Sequence, residues 1–267
     1  MVKSAPVPRG PRRSPEEIRR LMVNAALELL VAQGLGSGTE RITLKGVFDY
    51  LQESQGIRLH YASVLGRIWV DQSEFQRDVA VAIASIDGST AESEATVAGF
   101  LNILRKSDRT TLDGRWQTIN RFCLYLGESN LNELVESPTW PLWVSIWAVS
   151  MSHPDETEPD LVRDALTKSY GSLTTNFEFA FDWAIAWLGF RVKAPLTTRQ
   201  LSTAVSALAE GCALRDRLRS ADIRDIKLPT GTKGRRESWT LFGIGLEALC
   251  RHFLEEIPSW EPGPIDF

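Results

Sequence analysis

Apolar residues recur at offsets of three and four along almost the whole chain. From Ile18 they fall at Leu21, Met22, Ala25, Ala26, Leu29 and Leu30, the stripe of an amphipathic helix. Ser14-Pro15-Glu16-Glu17 supplies its start: an N-cap serine, a proline in the first turn and two acids facing the positive end of the helix dipole. Gly34 and Gly36 supply its end. Thr43 is the next N-cap, and Leu44, Val47, Phe48 and Leu51 form one face of a shorter second helix, broken by QESQGIRL with Gly56 as the turn residue. HYASVLGRIW, residues 60–69, predicts a third helix, with Val64, Leu65, Ile68 and Trp69 turned inward and His60, Tyr61, Ser63 and Arg67 outward. Asp71 or Ser73 caps a fourth that carries Phe75, Val79 and Ile83. Two short helices joined by a glycine-containing turn have the sequence form of a helix-turn-helix.

The polar, small-residue stretch DGSTAESEAT, 87–96, marks a domain boundary. Beyond it the spacing stays helical, no stretch alternates with period two, and no internal repeat is present. The expected fold is therefore all-α: a flexible basic arm over 1–14, a helix-turn-helix domain over 15–88, and a larger all-helical domain over 89–267. Two late helices stand out. Leu201, Ala204, Val205, Leu208 and Ala209 form one stripe, and Trp239, Phe242, Gly243, Leu246, Leu249, Cys250, Phe253 and Leu254 form a broader one. A surface that broad packs on two neighbours, or on its own body and a second chain.

Composition alters this picture little: 43% apolar and 24% charged residues are ordinary for a globular protein, though nine Trp are many. Charge is more telling, because the net −4 is uneven. Residues 1–80 hold 11 Lys/Arg against 9 Asp/Glu, leaving the acidity to the remainder. A mildly basic head on an acidic body fits a phosphate-bearing partner at one end, and a disordered tail beside a solvated surface fits it as well. Cys123, Cys212 and Cys250 are isolated in apolar helical contexts and read as small buried thiols in a reducing cytoplasm. The longest apolar stretches, 142–151 and 179–190, are too short to span a bilayer, and no apolar run follows the N-terminal basic residues. The expectation is a cytoplasmic protein with no membrane partner.

Enzyme signatures are absent. His60, His153 and His252 lie far apart and outside any metal motif. HPDETEPD, 153–160, reads as a solvated acidic loop, and PTGTKGRRES, 229–238, as a mobile loop lacking P-loop spacing. Gly243-x-Gly245 follows no strand and is no dinucleotide fingerprint. Neither catalytic residues, metal nor cofactor are expected.

The middle of the chain concentrates aromatics: Trp116, Phe122, Tyr125, Trp143, Trp147, Phe177, Phe181 and Trp183 among them, with Asn120, Asn176, Glu178 and Asp182 as polar neighbours. Such side chains suit an apolar effector pocket, and equally a solid Trp-rich core.

IRRLMVNAALELLVAQGLG, ITLKGVFDYL and YASVLGRIWVDQSEFQRDV together resemble the N-terminal region of the TetR family of bacterial transcriptional regulators, with Trp69 as the aromatic closing the recognition helix. LTTRQLSTAVSALAEGCALRDRL, 196–218, is similar to that family's penultimate helix. Three features depart from the pattern: the longer turn QESQGIRLH, Gly66 where the family commonly has Tyr, and Val70-Asp71-Gln72 after Trp69 in place of Pro-Ser-Lys. The resemblance implies a repressor that binds a double-stranded DNA operator, dimerises through helices near 197–218 and 238–256, and is released by a small hydrophobic or aromatic ligand. In such a head His60, Tyr61, Ala62 and Ser63 meet base edges, with Arg58 and Arg67 beside them. Thr43 and Lys45 lie at phosphates, and Arg12 and Arg13 follow the backbone or enter a minor groove. The competing expectation is a helical protein-interaction module of the same fold that does not bind DNA.

Overall fold

The computed structural model describes residues 13–34, 42–86, 94–152, 160–229 and 235–263. Among them the helices are α1 (Pro15–Gln33), α2 (Leu44–Gln55), α3 (Tyr61–Val64), α4 (Gln72–Ala84), α5 (Glu94–Arg105), α6 (Leu112–Glu136), α7 (Trp140–Met151), α8 (Leu161–Trp187), α9 (Thr198–Arg217) and α10 (Leu241–Phe253). Four short strands join them: β1 (Phe190–Val192), β2 (Ile226–Pro229), β3 (Arg236–Trp239) and β4 (Leu254–Glu256). The fold is mostly helical, and none of the described helices is long and apolar enough to cross a membrane. The chain divides into two compact units, residues 1–86 with 141–167, and residues 87–140 with 168–267.

In the first unit, side-chain caps set the helix starts. Ser14 Oγ accepts from Glu17 N at 3.2 Å while the Glu17 carboxylate accepts from Ser14 N at 2.7 Å, a reciprocal capping box. Thr43 Oγ1 accepts from Gly46 N and Asp71 Oδ1 from Glu74 N, starting α2 and α4. Gly56, at φ 66°, ends α2 in the left-handed conformation that costs glycine nothing. Met22, Ala25, Ala26 and Leu30 of α1 are buried together with Val47 and Leu51 of α2 and Phe75, Val79 and Ile83 of α4, and α1 packs on both α2 and α4. The Arg19 guanidinium reaches across from α1 to Asp78 of α4 in a two-pronged pair at 2.6 and 2.7 Å.

The third helix is shorter than the apolar spacing predicts. It closes at Val64, and Gly66 adopts φ 73°. Gly66 N then donates to Trp69 O at 2.8 Å, so 65–69 folds back as a tight turn that carries Trp69 into the core at 1% exposure. A turn and a helix both bring Val64 and Trp69 inward, so the hydrophobic pattern alone does not distinguish them.

The second unit is built around α6, which packs against α5, α9 and α10, with α9 also against α10. The α6–α10 crossing is close: a Cβ on Gly127 would lie 2.4 Å from Gly243 Cα, and one on Gly243 would lie 2.7 Å from the Cys123 carbonyl. Thr240 fastens it, its hydroxyl donating to Gly127 O at 2.9 Å and accepting from Gly243 N as the N-cap of α10. Buried Arg115 of α6 donates to Gly189 O at 3.2 Å and lies over the rings of Phe190 and Trp260, pinning the turn between α8 and β1.

Strands enter where none were predicted. β1 pairs antiparallel with β4, Val192 opposite Leu254, and β2 pairs antiparallel with β3, Ile226 opposite Trp239. Strands of three or four residues are too short to display a period of two. Trp239 and Leu254, which the spacing assigned to the last helix, instead end β3 and begin β4. The ends of PTGTKGRRES thus belong to β2 and β3 themselves, although 230–234 lie outside the described residues, as do Arg12 and nearly all of the basic arm, most of 87–96, and 153–159 of the acidic loop.

Candidate functional site

Two places gather the residues of interest, one in each unit. In the first, the chain from Gly56 to Arg67 carries an exposed polar edge. Arg58, His60, Ala62 and Arg67 are exposed, and Ser63 is partly so. Tyr61 is 46% exposed and meets Phe48 of α2 in a T-shaped contact with ring centroids 5.0 Å apart, so α2 holds the ring while part of it stays open to solvent. Ser63 Oγ donates to His60 O at 2.6 Å and accepts from His60 N at 3.4 Å, so its proton is spent within the turn. Arg13, Arg58 and Arg67 form no ion pair among the described residues, whereas Lys45 Nζ lies 2.6 Å from Asp49 one turn along α2. That carboxylate holds the Lys45 ammonium's pKa above its usual value, and a phosphate at Lys45 would have to compete with it. Thr43 is half-buried, its oxygen engaged by Gly46 N.

Arg67 stands in the turn after α3 rather than on the helix, because Gly66 reverses the backbone before it. The edge therefore consists of one helical turn, 61–64, flanked by two arginines on irregular backbone.

In the second unit a cavity of about 270 Å³ opens between α5, α6, α8, α9 and α10. Its wall is aromatic and aliphatic: Phe100, Ile119, Phe122, Leu126, Phe177, Phe181, Trp183, Val205 and Leu246. Phe100 and Phe122 stack at 4.6 Å, forming one flat side. Phe179, 77% exposed, and Trp183, 40% exposed, stand at the rim. Polar groups are few. They are Asn130, the Cys123 and Cys250 thiols, and Thr96, whose hydroxyl donates to Glu133 at 2.8 Å. An apolar chamber with few polar groups orients a ligand by shape more than by hydrogen bonding.

Of the aromatics singled out from sequence, Phe122, Phe177, Phe181 and Trp183 line this cavity, and Trp116, Tyr125, Trp143 and Trp147 do not. Trp116 packs on Phe190 at 4.7 Å with Arg251 over its ring. Tyr125 directs its hydroxyl to Thr96 O at 3.4 Å. Trp143 and Trp147 belong to α7 in the other unit. Glu178 and Asp182 turn to α9, pairing with Arg199 at 3.3 Å and accepting from Thr198 at 2.5 Å. The sequence reading missed Phe100 and the two cysteines. Phe100 was legible as the one aromatic of α5; the cysteines, far apart along the chain, gave no signal of meeting.

α9 and α10 bury Leu201, Val205, Ala209, Phe242 and Leu246 and leave Leu214 and Leu241 exposed, as is Leu218 just after α9. No group of three or more metal-binding side chains occurs among the described residues. No family model matches the chain, and no curated protein or solved structure matches it.

Proposed function

We propose that this chain is a DNA-binding transcriptional repressor that acts as a homodimer and is released from its operator by a small hydrophobic or aromatic effector. The observation that carries the reading is the exposed edge His60–Ser63, held by Tyr61 on Phe48 and bracketed by Arg58 and Arg67, which form no ion pair among the described residues. Together with the sequence resemblance to the TetR family it supports placing α3 in a major groove. There Ser63 and Tyr61 meet base edges, the Ala62 methyl meets a thymine methyl, and Arg67 takes a guanine or a phosphate. Arg13 and Lys45 anchor the phosphates.

So short an edge reads few base pairs, and regulators of this kind gain selectivity by pairing two heads on half-sites roughly 34–36 Å apart. The exposed leucines of α9 and α10 support those helices as the pairing surface. The cavity of the second unit is the effector site, and its occupancy shifts the balance between two head spacings, one of which fits the operator. The test is selection of duplexes from a random pool followed by Arg67→Ala and Tyr61→Ala. Weaker binding to the selected duplex with unchanged thermal unfolding supports the assignment; unchanged affinity in both variants removes it.

A second reading has its own support. The single-turn α3 and the Lys45–Asp49 pair both reduce what this edge offers to DNA, which favours a helical protein-interaction module. Such a protein tolerates Arg67→Ala and loss of residues 1–14 without losing its partner.

A further inference from the structure

The cavity of the second unit has an aromatic part and a polar end. α6 presents one stripe to it: Ile119, Phe122, Cys123, Leu126 and Asn130 all line the wall, at the offsets of three and four that share a helix face. Near the start of the stripe Phe122 stacks on Phe100 of α5 at 4.6 Å, and Trp183 of α8 lies 6.4 Å from Phe100. At its far end is Asn130, about 12 Å along the helix axis from Phe122. The Asn130 side-chain amide makes no hydrogen bond among the described residues. Thr96 of α5 shares that end, because its hydroxyl donates to Glu133, three residues beyond Asn130.

Charge is missing from the wall. No Asp, Glu, Lys, Arg or His lines the cavity among the described residues. A carboxylate or an ammonium entering it would shed its hydration with no counter-charge on the wall to replace it. An uncharged molecule incurs no such loss. The Asn130 amide brings one acceptor and two donors, so a single hydroxyl or carbonyl on the ligand satisfies it. Shape narrows the class further. A rigid, flat molecule loses less freedom on binding than a flexible chain of equal size, and an aromatic wall adds ring-on-ring contact that a chain does not make. At about 30 Å³ per water the 270 Å³ cavity holds the equivalent of roughly nine waters, room for about two fused rings.

We propose that the cavity takes an uncharged fused-ring aromatic bearing one polar group at its end, the rings lying against Phe100 and Phe122 and the polar group meeting the Asn130 amide. This rests on the reading of the cavity as the effector site and narrows the effector to one chemical class.

The test is isothermal calorimetry on the full-length chain without DNA. The probes are 2-naphthol, naphthalene, 2-naphthoate, 2-naphthylmethylammonium and 1-decanol, the last matched to 2-naphthol in non-hydrogen atoms. The expected order has 2-naphthol tightest. Both charged naphthyl probes bind at least about a hundredfold more weakly, decanol about tenfold more weakly, and naphthalene about tenfold more weakly for want of the amide contact. Asn130→Ala brings 2-naphthol to the level of naphthalene and leaves naphthalene unchanged. Phe100→Leu weakens both by about three- to tenfold and decanol less. Both residues are only partly buried, and Asn130→Ala carries the test if Phe100→Leu does not fold. A charged probe or decanol binding as tightly as 2-naphthol would overturn the proposal. So would unchanged 2-naphthol affinity in Asn130→Ala, or no binding by any probe. The effector reading is separated by adding DNA: 2-naphthol that binds in the expected order yet leaves DNA affinity unchanged supports the ligand class and removes the effector role.

Discussion

Trp69 donates its indole N–H to Asp78 Oδ2 at 2.6 Å, and the same carboxylate receives the Arg19 guanidinium. One aspartate thus ties the turn after α3 to α4 and to α1. The two partners differ in burial: Trp69 is 1% exposed, while the Arg19 side chain is 57% exposed. Asp78→Ala strands a buried donor, for which about 1–3 kcal/mol of destabilisation is expected. Arg19→Ala removes a largely solvated pair worth under about 1 kcal/mol. Urea unfolding of the two variants checks the order, and equal losses would contradict it.

Gly66 and Gly171 form a matched pair. Neither has an atom within 4 Å of an added Cβ, so space is not the issue at either site. Gly66 sits at φ 73°, where a side chain costs about 1–2 kcal/mol. Gly171 lies inside α8, where alanine is better than glycine by about 0.5–1 kcal/mol. Gly66→Ala should lower the unfolding midpoint and Gly171→Ala should raise it.

At the α6–α10 crossing the obstacle is backbone, which cannot swing away. Gly127→Ala places its methyl 2.4 Å from Gly243 Cα, and Gly243→Ala places its own 2.7 Å from Cys123 O. Each is expected to cost about 1–3 kcal/mol by overpacking. The reshaped crossing should also weaken any cavity ligand, because α6 and α10 both line the chamber. Calorimetry and Trp fluorescence titration read the two effects separately.

Glu210 of α9 accepts from the Tyr170 hydroxyl at 2.9 Å in a largely buried setting. Burial raises its carboxyl pKa above the ordinary 4.5, and the Tyr170 hydrogen bond only partly offsets this. The folded chain therefore holds the Glu210 proton to higher pH than the unfolded chain does. Its contribution to stability is fully present below about pH 4.5 and is lost as pH rises through the folded value. Glu210→Gln keeps an acceptor for Tyr170 without the charge. It should be more stable than the parent at neutral pH, with the difference closing as the solution is acidified. A difference that widens in acid would reverse this sign.

Helix starts were legible because capping is local: Ser14, Thr43 and Asp71 mark their helices with the next three residues alone. The end of α3 was not, since Val64, Leu65, Ile68 and Trp69 satisfy a helix and a folded turn equally. Gly66, at φ 73°, is the residue that lets the chain turn there. Among the aromatics, sequence gave density but not direction. Trp116 and Phe122 share α6, yet six residues turn the helix by about 240°, so one faces Phe190 and the other the cavity. That Cys123 and Cys250 line one cavity depends on a packing of α6 and α10 that no local pattern encodes.

The most direct test of the proposed function is binding to duplex DNA from upstream of the chain's own coding region, titrated across salt by fluorescence anisotropy. A phosphate-anchored repressor gives site-selective binding whose logarithm falls steeply and linearly with the logarithm of salt, by about 0.9 per phosphate contacted. Arg67→Ala lowers that slope by about one if Arg67 lies on a phosphate. A folded protein that shows no selective binding even at low salt would contradict the repressor reading and leave the interaction module.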